Sequence, residues 1–102
     1  MSSRNVMNTH FNPEFLEDST ETLRAIAHPI RIAIIDLLHA NGKMNVTDIY
    51  KKLKIAQAIA SHHLRILKNK KVLIVEREGK KSLYSLAKID YYDIIKTLEK
   101  VL

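Results

Sequence analysis

Residues 55–67, Ile-Ala-Gln-Ala-Ile-Ala-Ser-His-His-Leu-Arg-Ile-Leu, constrain this chain more than any other stretch, because helical phase sorts them into two chemically distinct faces. At about 3.6 residues per turn, Ala56, Ala60, Leu64 and Leu67 fall on one side and Gln57, Ser61, His62, Arg65 and Lys68 on the other. The first side requires a core. The second carries side chains suited to a DNA groove: Gln pairs bidentately with adenine, Arg with guanine, and Ser and His bond base edges or phosphates. A polar outer face also occurs on ordinary solvated helices, so the reading depends on what flanks it.

The flanks read as a chain of short helices. Asn12-Pro13-Glu14 opens the first, with Asn as N-cap, Pro at the first helical position and acid at the positive end of the dipole; Phe15, Leu16, Leu23 and Ile26 supply its apolar positions. His28-Pro29 breaks it and starts a second, in which Ile30, Ile34, Leu37 and Leu38 form a stripe that Asn41-Gly42 ends. Asn45, with Asp48 three residues on, caps a third short helix whose inner face is Val46, Ile49 and Leu53. Beyond Lys71 the period changes. Val72 to Val75 and Ser82 to Leu86 read as two strands around a charged, Gly79-containing tip, with Tyr84 and Leu86 facing inward. Asp90 caps a last helix carrying Ile94, Ile95, Leu98, Val101 and Leu102, an apolar row that asks for a partner surface. The expected fold is mainly α with a β-hairpin wing, a winged helix-turn-helix in the order α-α-α-α-β-β-α. Residues 12–102 form the domain and residues 1–11 a flexible arm.

Charge follows the same division. The chain of 102 residues has room for one domain and carries a net charge of +6. Residues 1–41 hold three basic and five acidic side chains, residues 42–86 eleven and three, and residues 87–102 three and three. The excess therefore sits on the proposed reading helix and the hairpin, where Arg77, Lys80 and Lys81 make a basic tip suited to phosphates or a minor groove. There is no cysteine, which excludes disulfides, thiolate metal sites and thiol switches from this sequence. No apolar run resembles a signal peptide or a membrane span, so a cytoplasmic location without membrane contact is expected. No nucleophile motif accompanies the isolated His, Ser and Asp residues, and two glycines cannot build a phosphate-cradling loop; an enzyme is not expected.

Three segments in order carry a resemblance: Leu23 to Ile32 with its Ala27-His28-Pro29-Ile30-Arg31 start, Ser61-His62-His63-Leu64-Arg65-Ile66-Leu67, and Arg77-Glu78-Gly79-Lys80 followed by Leu83 to Leu86. Over about residues 14–102 the chain resembles the ArsR/SmtB family of winged-helix repressors. The resemblance implies a homodimer, packed through its first and last helices, that occupies an operator until a ligand lowers its affinity. Gln57, Ser61 and His62 then carry over as groove contacts, and Val46 or Thr47 as a backbone contact from the preceding helix. Arg65 shares the outward face. Ala58 lies on the DNA-binding surface where a polar residue is usual, so one readout contact is missing. Ala56 replaces a usual Ser cap, which costs about 0.5–2 kcal/mol. Lys71 replaces a usual Gly, implying strain or a different turn. Phe15, Leu16, Leu23, Ile94, Ile95, Leu98 and Val101 are the expected dimer contacts, and an inverted-repeat site in double-stranded DNA is the expected partner.

Many relatives sense metals, through cysteines beside the third helix or an Asp-x-His pair on the last. Here Met44 to Asp48 offers no thiolate, Asp90-Tyr91-Tyr92 stands where Asp-x-His would, and no His follows residue 63. No metal site or cofactor is expected. His28 reads as a cap before Pro29, His39 as a complement to the negative end of the second helix, His63 as half-buried and hydrogen-bonded, and His62 as facing DNA. Arg31 reads as a phosphate contact or as a brace for an acidic side chain. Two alternatives stand beside the operator-binding repressor: a protein-interaction module that keeps the winged-helix shape without specific DNA readout, and a metal-responsive repressor using a non-standard histidine site with His10. Nothing in these motifs specifies an inducer.

Overall fold

The computed structural model describes residues 8–102, so most of the expected arm lies outside the described residues. Helix α1 (Pro13–Ile26) starts at Asn12, whose extended backbone lets Oδ1 accept the Phe15 N–H at 3.1 Å, while Pro13 takes a position that needs no N–H partner. Helix α2 (Pro29–Asn41) starts at His28. Its backbone is extended, as a residue before proline prefers, and Nδ1 accepts the Ile30 N–H at 3.0 Å, which fixes the cap reading of this histidine. Gly42, at φ 78°, ends α2 in the left-handed region. Helix α3 (Val46–Leu53) is capped by Asn45, whose Oδ1 accepts the Asp48 N–H at 2.8 Å.

Lys54, at φ 57°, turns the chain toward α4 (Gln57–Asn69). The start of α4 has no side-chain cap, because Ala56 occupies the N-cap. Its end is a complete Schellman motif built on a lysine: Lys71 sits at φ 62°, its N–H donates to the Lys68 carbonyl at 2.9 Å, and the Val72 N–H donates to the Leu67 carbonyl at 2.9 Å. The expected departure at Lys71 is therefore an ordinary turn held in a conformation that a Cβ disfavours.

The sheet holds three strands in the order β1–β3–β2: β1 (Met44–Asn45), β2 (Leu73–Glu78) and β3 (Lys81–Leu86), all antiparallel. Sequence reading missed β1, because two residues are too short for any period; Met44 pairs with Tyr84 and Asn45 with Leu83. The hairpin is also longer than expected, running to Glu78 opposite Lys81. Charged side chains mark the Glu76–Lys81 segment as a loop by composition, but the ladder uses backbone groups alone and closes through Gly79-Lys80, with Gly79 at φ 63°. Helix α5 (Asp90–Val101) corrects a third expectation. Asp90 is its first helical residue and not its cap; Ile89 precedes it in helical conformation, and the Tyr91 and Tyr92 N–H groups reach back to the Lys88 and Ile89 carbonyls.

Ile34, Ile35 and Leu38 of α2, Ile49 of α3, Leu64 and Leu67 of α4, and Val72 and Leu73 leading into β2 are at most 2% exposed and form the core. Each contributes about 1.5–3 kcal/mol by removal from water. Helix α2 is central, touching α1, α3, α4, α5 and β3. Since α4 buries Ala60, Leu64 and Leu67 against this scaffold, its rotation about its own axis is fixed, and so is the face it shows to solvent. Ala56 is not part of that inner face: it lies before the first helical residue and is exposed.

Candidate nucleic-acid interface

The rotation of α4 leaves Gln57, Ala58, His62, Arg65 and Lys68 exposed, with Ser61 half-buried at the edge of the row. Gln57 and Ala58 belong to the first turn, where the uncapped N–H groups also point outward along the axis. Ile59, 44% exposed beside this row, was not among the expected contacts; an apolar residue gives no hydrogen-bonding signal in sequence, although apolar side chains contact thymine methyl groups. At the start of α3, Thr47 is exposed and Val46 half-buried, leaning on the core. The tight turn through Lys54 is stabilised by Lys54 and Ile55 N–H bonds to carbonyls of Lys51 and Tyr50.

On the wing, Arg77, Lys80 and Lys81 are exposed near the hairpin tip, and the Arg77 guanidinium donates to Ser82 Oγ at 3.4 Å across the strands. Two solvent-exposed ion pairs flank the site. Lys43 meets Glu76 at 2.6 Å, tying the turn before β1 to β2, and the Glu76 carboxylate raises the Lys43 ammonium above its ordinary value. Lys70 meets Glu21 at 2.8 Å, joining the end of α4 to α1, and its ammonium holds the Glu21 carboxyl below the usual range.

Behind the exposed row the histidines divide as expected: His62 is exposed, whereas His63 is only 6% exposed. Arg31 departs from the brace expected of it. Among the described residues it meets no acidic side chain; its Nε donates to His63 Nδ1 at 3.1 Å, and one terminal nitrogen donates to the Arg24 and Ala25 carbonyls at 3.2 and 3.0 Å. His39, placed by sequence at the end of α2, also stacks on Tyr92 of α5, with ring centroids 3.6 Å apart and planes 5° from parallel.

The expected dimer contacts separate into two groups. Phe15, Leu23, Ile94, Leu98 and Val101 are between 38% and 70% exposed and lie on α1 and α5, where Phe15, Leu23 and Ile94 help line a hollow of about 370 Å³. Leu16 is half-buried, and Ile95 packs partly against the protomer's own core. Among the described residues no group of three or more His, Asp or Glu side chains is placed to hold a metal, and no helix is long and apolar enough to cross a membrane.

A helix-turn-helix whose second helix is locked by its buried face, shows a row of exposed polar side chains, and stands beside a hairpin with a basic tip defines a winged helix-turn-helix DNA-binding domain. Comparison with known proteins narrows the class. A family model described as bacterial regulatory protein, arsR family, matches residues 28–72, from the His28 cap to the Schellman turn. The chain is 37% identical over 86 residues to the transcriptional repressor PagR of Bacillus anthracis, covering 84% of this chain and 86% of PagR. The PagR crystal structure agrees with a TM-score of 0.78 over 85% of this chain and 99% of that one. Identity to the HTH-type transcriptional repressor SmtB of Mycobacterium tuberculosis is 40% over 74 residues, which is 72% of this chain and 54% of that protein. The solution structure of Mb0332 from Mycobacterium bovis, described as a homodimeric winged helix-turn-helix DNA-binding domain, matches at 25% identity and TM-score 0.77 over 94% of this chain and 88% of that one. The chain belongs to the ArsR family: it is a DNA-binding transcriptional repressor of the winged helix-turn-helix type.

Proposed function

We propose that this chain works as a homodimer that represses transcription by occupying an inverted-repeat site in duplex DNA, acting in the cytoplasm without catalysis. The observation that carries this reading is the exposed row on α4, held at a fixed rotation by a helix face that is wholly buried. Gln57, Ser61 and His62 read base edges in the major groove, Arg65 follows toward the backbone, and Ala58 and Ile59 offer apolar contact only. Thr47, with Val46 behind it, meets the phosphates from α3; Arg77, Lys80 and Lys81 grip from the wing.

Dimerisation through α1 and α5 is supported by the exposed apolar row of Phe15, Leu23, Ile94, Leu98 and Val101, and by the description of Mb0332 as homodimeric. A two-fold dimer sets the two α4 helices about one DNA turn apart, roughly 34–36 Å. Release from the operator is proposed to depend on an organic ligand, a partner protein or protein concentration and not on a metal, since the donor set contains no thiolate and His28, His63 and His39 are engaged as a helix cap, a hydrogen-bond acceptor and a ring stack.

Light scattering and fluorescence anisotropy together test the reading, with a duplex recovered by the protein from a random-sequence pool. A dimer mass at micromolar concentration and salt-dependent, sequence-selective retention are expected. A monomer mass, or equal affinity for the recovered and scrambled duplexes, overturns it.

A further inference from the structure

The Arg31 guanidinium, carried by α2, hydrogen-bonds to both α1 and α4. It leaves α2, donates to the last carbonyls of α1, and donates through Nε to the imidazole Nδ1 of His63 on α4. That last bond imposes a chemical condition: an imidazole nitrogen accepts a hydrogen bond only while it carries no proton, because protonated histidine offers two donors and no acceptor. His63 is adjacent in sequence to His62, and the rings of the two lie 4.9 Å apart.

We propose that Arg31 and His63 form a positioning pair for DNA readout, in which a neutral His63 couples α4 to the α1–α2 corner and sets where Gln57, Ser61 and His62 stand, and that protonation of His63 releases this coupling. The surroundings make the neutral form the resting one. The charged and titratable groups bearing on His63 are Arg31 and His28 of α2, the latter with its ring 4.2 Å away, and His62 of the same helix; all are positive or become so on protonation. Among the described residues the other packed elements show no carboxylate acting on it: α1 offers backbone carbonyls already taken by Arg31, its Glu21 faces Lys70 at the far end of α4, and α3 and β2 meet the shared core through Ile49 and Leu73. Burial, followed by these neighbours, keeps the His63 imidazole below the usual histidine value.

This pair opposes the general trend of a basic DNA-binding protein. Acid adds positive charge, His62 included, and ordinarily tightens the hold on phosphate. Release of α4 by His63 acts the other way, and it acts on sequence-selective binding and not on grip.

The inference rests on the DNA-binding reading, and the experiment separates the two. Wild type, His63→Gln and His63→Leu are compared by anisotropy on the duplex recovered from a random pool and on its scrambled form, from about pH 8 to about pH 5.5. Amide exchange over α4 is followed in the free proteins. Gln keeps an acceptor for Arg31 without titrating; Leu keeps bulk and loses the acceptor. The expected result is a ratio of recovered to scrambled affinity that falls about tenfold on acidification in wild type, stays level in His63→Gln, and is already about tenfold low in His63→Leu at every pH. Exchange over α4 should rise in wild type on acidification and in His63→Leu throughout. If His63→Leu matches wild type in both selectivity and α4 exchange, or if His63→Gln retains the acid response, the positioning pair is refuted. If wild type shows no selectivity at any pH while α4 exchange still follows the His63 variants, the coupling stands and the DNA reading falls.

Discussion

Lys71→Gly is expected to stabilise the protein although it removes a side chain and its charge. Lys71 is the left-handed residue of the Schellman turn, at φ 62°, exposed, and bonded through its N–H to the Lys68 carbonyl. A residue with a Cβ in that region costs about 1–2 kcal/mol, while glycine loses about 0.5–1 kcal/mol of additional chain entropy on folding. The difference favours glycine by about 0.5–1 kcal/mol, and for a domain near 100 residues each kcal/mol moves Tm by about 4–8 °C, so a rise of about 2–8 °C is expected. The motif itself stays intact, because the Val72 N–H to Leu67 carbonyl bond and the burial of both side chains do not involve Lys71. Thermal and urea unfolding at matched protein concentration read the effect, since a dimer's Tm depends on concentration. Lys71→Ala is the control: it removes the same charge and keeps the Cβ. A gain in Lys71→Ala equal to that of Lys71→Gly assigns the effect to charge, and a loss in Lys71→Gly refutes the strain argument altogether.

Four further outcomes are expected. Gln57→Ala should cost about 1–3 kcal/mol on the recovered duplex and little on scrambled DNA, whereas Lys80→Ala should weaken both and lower the slope of log affinity against log salt by about one, read by anisotropy across salt concentrations. Leu98→Asp should raise the dimer dissociation constant by more than about a hundredfold in sedimentation, because it buries an unpaired carboxylate in the proposed interface; Ile95 is avoided because it also packs inside the protomer. Operator affinity should change less than twofold, roughly, on adding zinc, nickel, cobalt or chelator, and a metal isotherm coupled to a tenfold affinity loss, about 1.4 kcal/mol, contradicts this. Stability should be complete above the ordinary imidazole value near 6.5 and fall as pH drops below it toward the lower value of folded His63, since the unfolded chain then binds more protons than the native one; His63→Gln should flatten that part of a urea-midpoint profile.

What could be read from the sequence was whatever depends on near neighbours. Asn12, His28, Asn45 and Gly42 terminate helices through bonds or backbone angles within a few residues, so spacing alone located them. The α4 face was legible for the same reason: Ala60, Leu64 and Leu67 recur with the helical period and the polar row is their complement. The failures come from distance or from brevity. Strand β1 has two residues and its partner lies about forty positions away, so nothing local announces it. The Arg31 bond to His63 spans 32 residues, and only the phase of His63, adjacent to Leu64 on the inner side, hinted that its ring was enclosed. Asp90 has the composition of a cap, but Ile89 already stands in helical conformation, and the Lys88 and Ile89 carbonyls do what its side chain was expected to do.

Two of the departures from the residues usual in the family, Ala56 and Lys71, fall at the two ends of the same helix. Ala56 leaves the first turn of α4 without a side-chain partner, and Lys71 holds the last turn at a positive φ. Both weaken the ends of α4, while its middle is held by Ala60, Leu64 and Leu67 in the core and by Arg31 on His63. The weak N-terminal end is also the end that carries Gln57 and Ala58 into the proposed groove. Unpartnered N–H groups at a helix N-terminus favour an anion, so in the proposed complex a DNA phosphate supplies there what Ala56 lacks in the free protein. Part of the cost of ordering α4 is then met by DNA and not by the fold. A helix arranged this way gains more from its operator than a well-capped one, and is correspondingly more sensitive to whatever loosens its remaining hold at His63.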